Sequence, residues 1–64
     1  MELTTRDTIL KKLLDAQENV RDYEMFSKQV SDQEVSELFK QFAEESGMQA
    51  RKLQALMEKY DRHS

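Results

Sequence analysis

From Ile9 onward the apolar side chains recur in alternating steps of four and three: Ile9, Leu13, Ala16, Val20, Tyr23, Ser27 and Val30. Ser27 alone breaks the apolar character of that series. The spacing tracks one side of an α-helix and predicts a first helix over about residues 5–30. A second series, Val35, Phe39, Phe42, Ser46, Gln49, Leu53, Leu56 and Tyr60, keeps the alternation with two polar residues at its middle. It predicts a second helix over about residues 34–60, after a turn at about 31–33. Leu10 and Phe26 widen the first stripe, and Leu38, Ala43, Ala50 and Met57 widen the second. Each helix is therefore apolar over more of its circumference than one coiled-coil seam covers, and each needs more than one neighbour.

The segment between them, Val30-Ser31-Asp32-Gln33-Glu34-Val35, carries a start signal. Ser31 followed three residues later by Glu34 has the spacing of a capping box, with Val30 and Val35 at the staple positions. Asp32, Glu34 and Glu37 place negative charge at the start of the second helix, and Lys59 and Arg62 place positive charge at its end, both favourable to the helix dipole. Thr4 or Thr5 is the expected cap of the first helix, and Arg62-His63-Ser64 is expected to fray. A turn this short makes the helices antiparallel, and about 26 residues each gives rods of roughly 39 Å. Gly47, next to Ser46, costs about 1 kcal/mol of helix propensity and either permits close helix approach, the reading we favour, or marks a mild bend.

Composition narrows the fold class. One glycine and no proline in 64 residues leave too few turn formers for a sheet protein, so the chain reads as all-α, a single antiparallel hairpin over residues 1–64. No apolar run approaches the ~18 residues of a membrane span, and Met1 to Asp7 lacks the basic-then-apolar order of a signal peptide, which reads as cytoplasmic. With no cysteine, disulfide staples and thiolate chemistry are excluded. Thirteen acidic against ten basic residues, a net charge of −3, argue against a general affinity for nucleic acid or anionic membrane. A core this small is marginal alone, so self-association into a four-helix bundle is the expected source of further stability.

Tyr23-Glu24-Met25-Phe26-Ser27, the run from Glu34 to Glu45, and Ala50-Arg51-Lys52-Leu53 resemble the rubrerythrin branch of the ferritin-like superfamily. The resemblance implies a four-helix bundle, each half supplying a Glu from its first helix and a Glu-x-x-His from its second to a di-iron or di-manganese centre. Carried over by position, those ligands fall on Ala16, Ser46 and Gln49. A one-residue shift that recruits Glu45 puts Met48 in the His place, a poor match for hard oxidised iron. The framework matches and the ligands do not. The expectation is thus a non-enzymatic structural or interaction module forming a homodimer, without cofactor, built on Leu13, Ala16, Val20, Tyr23, Phe39, Phe42, Leu53 and Leu56, with Ser46 and Gln49 as a polar patch at the bundle centre. An unidentified protein partner remains compatible with this pattern. Two alternatives stay open: a small metal-dependent oxidoreductase or metal-binding protein using an unconventional set from Glu18, Glu44 and Glu45, and a sensor or carrier holding a small molecule near Ser46 and Gln49.

The remaining chemistry-bearing residues read as structural. His63, the lone imidazole, is expected in the tail without the positioned partner that a general base requires. Tyr23, Phe26, Phe39, Phe42 and Tyr60 at helical spacing are expected core, and Met25, Met48 and Met57 core filler. The pairs Lys11-Lys12 and Arg51-Lys52 are too dilute for nucleic acid. No Gly-rich phosphate loop, nucleophile elbow or zinc-ligand spacing is present.

Overall fold

The computed structural model describes residues 4–62. The expectation for His63, and the part of the leader reading that falls on residues 1–3, lie outside them. The described chain is all-helical: α1 spans Thr5–Gln29 and α2 spans Gln33–Arg62, packed as a hairpin. Arg62 belongs to α2, so the second rod runs further than its apolar pattern; thirty residues give a rod of about 45 Å, matching a long dimension of 47 Å.

Both helix starts are capped by side chains. Thr4 caps α1: its hydroxyl accepts from the Asp7 amide at 3.1 Å, and the Asp7 carboxylate accepts from the Thr4 amide at 3.4 Å. This reciprocal pair satisfies two of the amides that a helix start leaves without intrahelical partners. At the second start the structure corrects the sequence reading. The cap is Asp32, whose carboxylate accepts from the Val35 amide at 3.1 Å, and whose carbonyl accepts from the Ser36 amide at 3.0 Å. Ser31 lies in the bend instead. A carboxylate at the positive end of a helix makes a charge-assisted bond that a serine hydroxyl one residue earlier cannot match. The capping box of Ser31 with Glu34, and the staple built on it, are therefore not formed.

Two further bonds close the turn. The Val30 amide donates to the Phe26 carbonyl at 3.1 Å, and the Ser36 hydroxyl donates to the Ser27 carbonyl at 2.6 Å. The second bond reaches from the first turn of α2 to one of the last carbonyls of α1, which has no partner within its own helix. At the open end of the hairpin Arg6 donates through Nε and Nη2 to Asp61 Oδ1, at 3.0 and 2.9 Å. Both side chains are about half exposed, so this pair adds little stability and mainly marks the register.

Every member of the first apolar series is buried or half-buried: Ile9, Leu13, Ala16, Val20, Tyr23, Ser27 and Val30. On α2 the pattern divides. The side turned to α1 carries Ser36, Phe39, Ala43, Ser46, Ala50, Leu53 and Met57, whereas Gln49, Leu56 and Tyr60 are exposed. The apolar stripe of α2 is three columns wide. α1 lies over the two columns that carry Ala43, Ser46 and Ala50, where small side chains let two backbones approach. The third column, with Gln49 and Leu56, is left uncovered. Tyr23 bridges the helices with its ring 5.4 Å from those of both Phe39 and Phe42, at 55° and 61°, the tilted arrangement aromatic quadrupoles favour. Among the described residues no large side chain is wholly buried.

Gly47 does not mark a forced close approach. Its backbone is ordinary helix, and a methyl group built on it would meet only Val20 Cγ2, at 3.9 Å. The glycine is accommodated by the packing without being required by it.

Candidate functional site

The bundle-centre positions singled out by the sequence fall in two environments. Ala16 and Ser46 are buried between the helices, with 4% and 6% of their surface exposed, while Gln49 stands outside them at the rim. A shallow groove of 220 Å³ on that side is lined by Asn19, Tyr23, Phe42, Glu45, Ser46 and Gln49 and opens to solvent. Asn19 was not singled out in the sequence. Its signal is its place three residues after Ala16 and four before Tyr23, on the flank of the first apolar series.

The carboxylates named as an unconventional metal set are not brought together. Glu18 lies in a groove along α1 with Leu10, Lys11, Leu14 and Asp15. Glu44 lies on the opposite side from Gln49, with Val20, Lys40, Gly47 and Arg51, and Glu45 lines the groove beside Ser46. Among the described residues no group of three or more His, Cys, Asp or Glu is placed to hold a metal ion. A methyl group, a hydroxyl and an amide occupy the three ligand positions that the family resemblance implies. That set does not fit a di-metal centre, which needs carboxylates and imidazoles.

Ionisable chemistry is correspondingly plain. The Asp15 carboxyl is held below its ordinary range, first by the hydrogen bond from Lys11, an effect that desolvation partly opposes, and further by the Lys11 charge and by Lys12. This cluster is a surface feature of α1. Among the described residues no buried side-chain nitrogen or oxygen lacks a hydrogen-bond partner. Ser27, buried against α2, donates to the Glu24 carbonyl of its own helix at 2.7 Å.

The two broad sides of the hairpin differ in what they expose. Around the groove at Ser46 stand Phe26, Leu38, Leu56 and Tyr60, each 40–43% exposed, at helical spacing from Tyr23, Phe42 and Gln49. The opposite side carries Glu24, Lys40, Glu44 and Arg51 around a broader groove, with Met48 at its edge. What the first side offers is contact area with a polar centre; among the described residues no group of metal ligands accompanies it. No described helix is long and apolar enough to cross a membrane. No protein-family model matches the chain, and no curated protein or solved structure matches it either.

Proposed function

We propose that this chain is a non-enzymatic structural or protein-interaction module, and that its working form is a homodimeric four-helix bundle of ferritin-like build without a di-metal centre. The observation that carries the reading is the apolar surface one hairpin leaves in water: Phe26, Leu38, Leu56 and Tyr60 on a single side, beside a core in which no large side chain among the described residues is wholly enclosed. Burying the remaining exposed part of each such side chain is worth about 1 kcal/mol, counted once in each copy. A hairpin of this size has little other reserve of stability. The scattered positions of Glu18, Glu44 and Glu45, and the ligand set missing at Ala16, Ser46 and Gln49, support a role in assembly over one in redox chemistry.

Sedimentation equilibrium across the micromolar range tests the reading, with a dimer expected. A compact monomer throughout that range refutes the homodimer. Stoichiometric, saturable uptake of Fe(II) or Mn(II) by chelator-free protein refutes the assignment as a module without metal.

A further inference from the structure

On α2, the side turned from the charged groove carries Leu38, Phe42, Glu45, Gln49, Lys52, Leu56 and Tyr60; Phe42 stands at its inner edge with its ring also on Tyr23 of α1, the others are exposed, and their order is self-complementary. Leu38 and Tyr60 each lie eleven residues from Gln49, and Phe42 and Leu56 each lie seven. We propose that this side is the dimer interface and that a two-fold axis crosses it at Gln49, laying α2 of each copy antiparallel on α2 of the other. The inference rests on the homodimer reading above and adds its face, direction and register.

A two-fold interface pairs residue i with j and j with i, so a stripe that builds one must read alike in both directions from its centre. This stripe does so in apolar character. Under the proposed axis Leu38 meets Tyr60 of the second copy, Phe42 meets its Leu56, and polar Gln49 meets Gln49, so no apolar side chain is set against the polar centre. Charge supplies a second, independent agreement. At 1.5 Å per residue, Glu45 lies about 6 Å to one side of the axis and Lys52 about 4.5 Å to the other. The two-fold therefore carries Lys52 of the second copy to the level of Glu45, and two acid–base pairs form at the rim. Gln41 Nε2 donates to Glu45 Oε1 at 3.2 Å.

The size also fits a second copy. The stripe from Leu38 to Tyr60 runs about 33 Å along α2 at 1.5 Å per residue, a length over which two antiparallel copies can stay in contact. The opposite side also has apolar lining in Val20, Ala43 and Met48, but Glu24, Lys40, Glu44 and Arg51 fence it with charge.

The absence of native cysteine makes the register directly testable. Helices packed with axes about 8–10 Å apart bring facing Cα atoms to roughly 3.5–5.5 Å, overlapping the range a disulfide spans. Gln49→Cys, an exposed substitution, is expected to form an intermolecular disulfide nearly quantitatively under mild oxidation. Met48→Cys, one residue away and pointing to the other side, is expected to form little. Glu45→Lys alone is expected to weaken dimerisation several-fold at low salt, and Glu45→Lys combined with Lys52→Glu to restore it. A wild-type dimer in which Gln49→Cys fails to cross-link, or in which Met48→Cys links instead, overturns the face and register while leaving the homodimer standing. Failure of the charge exchange to restore association also overturns the register. A wild-type monomer overturns both proposals.

Discussion

Gly47→Ala is expected to stabilise the protein, and the structure sets the size of the effect. Glycine inside a helix costs about 1 kcal/mol relative to alanine, because the unfolded chain gains freedom that the helix must remove. That gain survives only if the new methyl group has room and the backbone is one alanine adopts. Both conditions hold: Gly47 has no positive φ, and the methyl group would meet Val20 Cγ2 at 3.9 Å, an ordinary van der Waals separation. The net effect is thus about 0.5–1 kcal/mol in favour of the variant. Taking about 2.1 cal/mol/K of unfolding entropy per residue, a 64-residue chain has a slope near 0.13 kcal/mol/K, so Tm should rise by about 4–7 °C. Circular dichroism melts of wild type and variant at matched concentrations, repeated at a tenfold higher concentration, measure it. A lowered Tm refutes the reasoning, because it requires a neighbour to press on Gly47 that the hairpin does not contain. A lowered Tm that recovers with concentration places that neighbour in a second copy, and puts the dimer contact on the side opposite Gln49.

Other substitutions probe the remaining claims. Asp32→Ala should cost about 1 kcal/mol through the lost cap, and Ser31→Ala only a few tenths; the reverse order in denaturant melts would restore Ser31 as the cap. Phe42→Ala should cost about 2 kcal/mol, at or below the lower end for a core phenylalanine because the ring is half-buried, and a cost under 0.5 kcal/mol in urea melts contradicts its packing against Tyr23. The depressed Asp15 carboxyl contributes stability that is present above the ordinary aspartate pKa and lost as pH falls through the lower folded value. The Tm difference between wild type and Asp15→Asn should accordingly be constant from neutrality down to about pH 5 and vanish only in stronger acid; a difference that changes between pH 6 and 8 contradicts the assignment.

The fold was legible because a single physical quantity, the spacing of apolar residues, determines it. Steps of four and three from Ile9 to Val30 name only residues that the hairpin buries or half-buries. The caps were less legible because several adjacent residues compete for one role. Ser31 and Asp32 both suit a helix start, and the decision turns on a charge–dipole interaction that spacing does not weigh. The division of α2 was illegible for a different reason. A stripe three columns wide shows that the helix has two neighbours, and it does not show which columns the nearer neighbour takes. Side-chain size holds the answer, since α1 settles on Ala43, Ser46 and Ala50 and leaves Gln49 and Leu56 to the outer face.

That division changes what the two polar residues in the middle of α2 can be doing. Adjacent in the heptad count, Ser46 and Gln49 read as one patch with one purpose. In the folded hairpin Ser46 is enclosed between α1 and α2, and Gln49 faces outward. Ser46 is small enough to sit at the contact of two helices, so its role is intramolecular and tolerates Ala. Gln49 has no such role within one chain, since an exposed polar residue there adds nothing to the hairpin. Under the proposed two-fold it lies on the axis, flanked at the rim by the Glu45–Lys52 pairs and set between the apolar positions to either side. A polar residue in that place penalises every shifted register, because a shift would set its amide against Leu56 or Phe42. The two residues should therefore separate in experiment. Ser46→Ala should leave association unchanged, whereas Gln49→Leu should strengthen association while loosening register, read as a gain of higher oligomers by sedimentation and cross-linking at positions beyond residue 49. Equal effects of the two substitutions on association would return Ser46 and Gln49 to a single patch and remove the basis for assigning them to different interfaces.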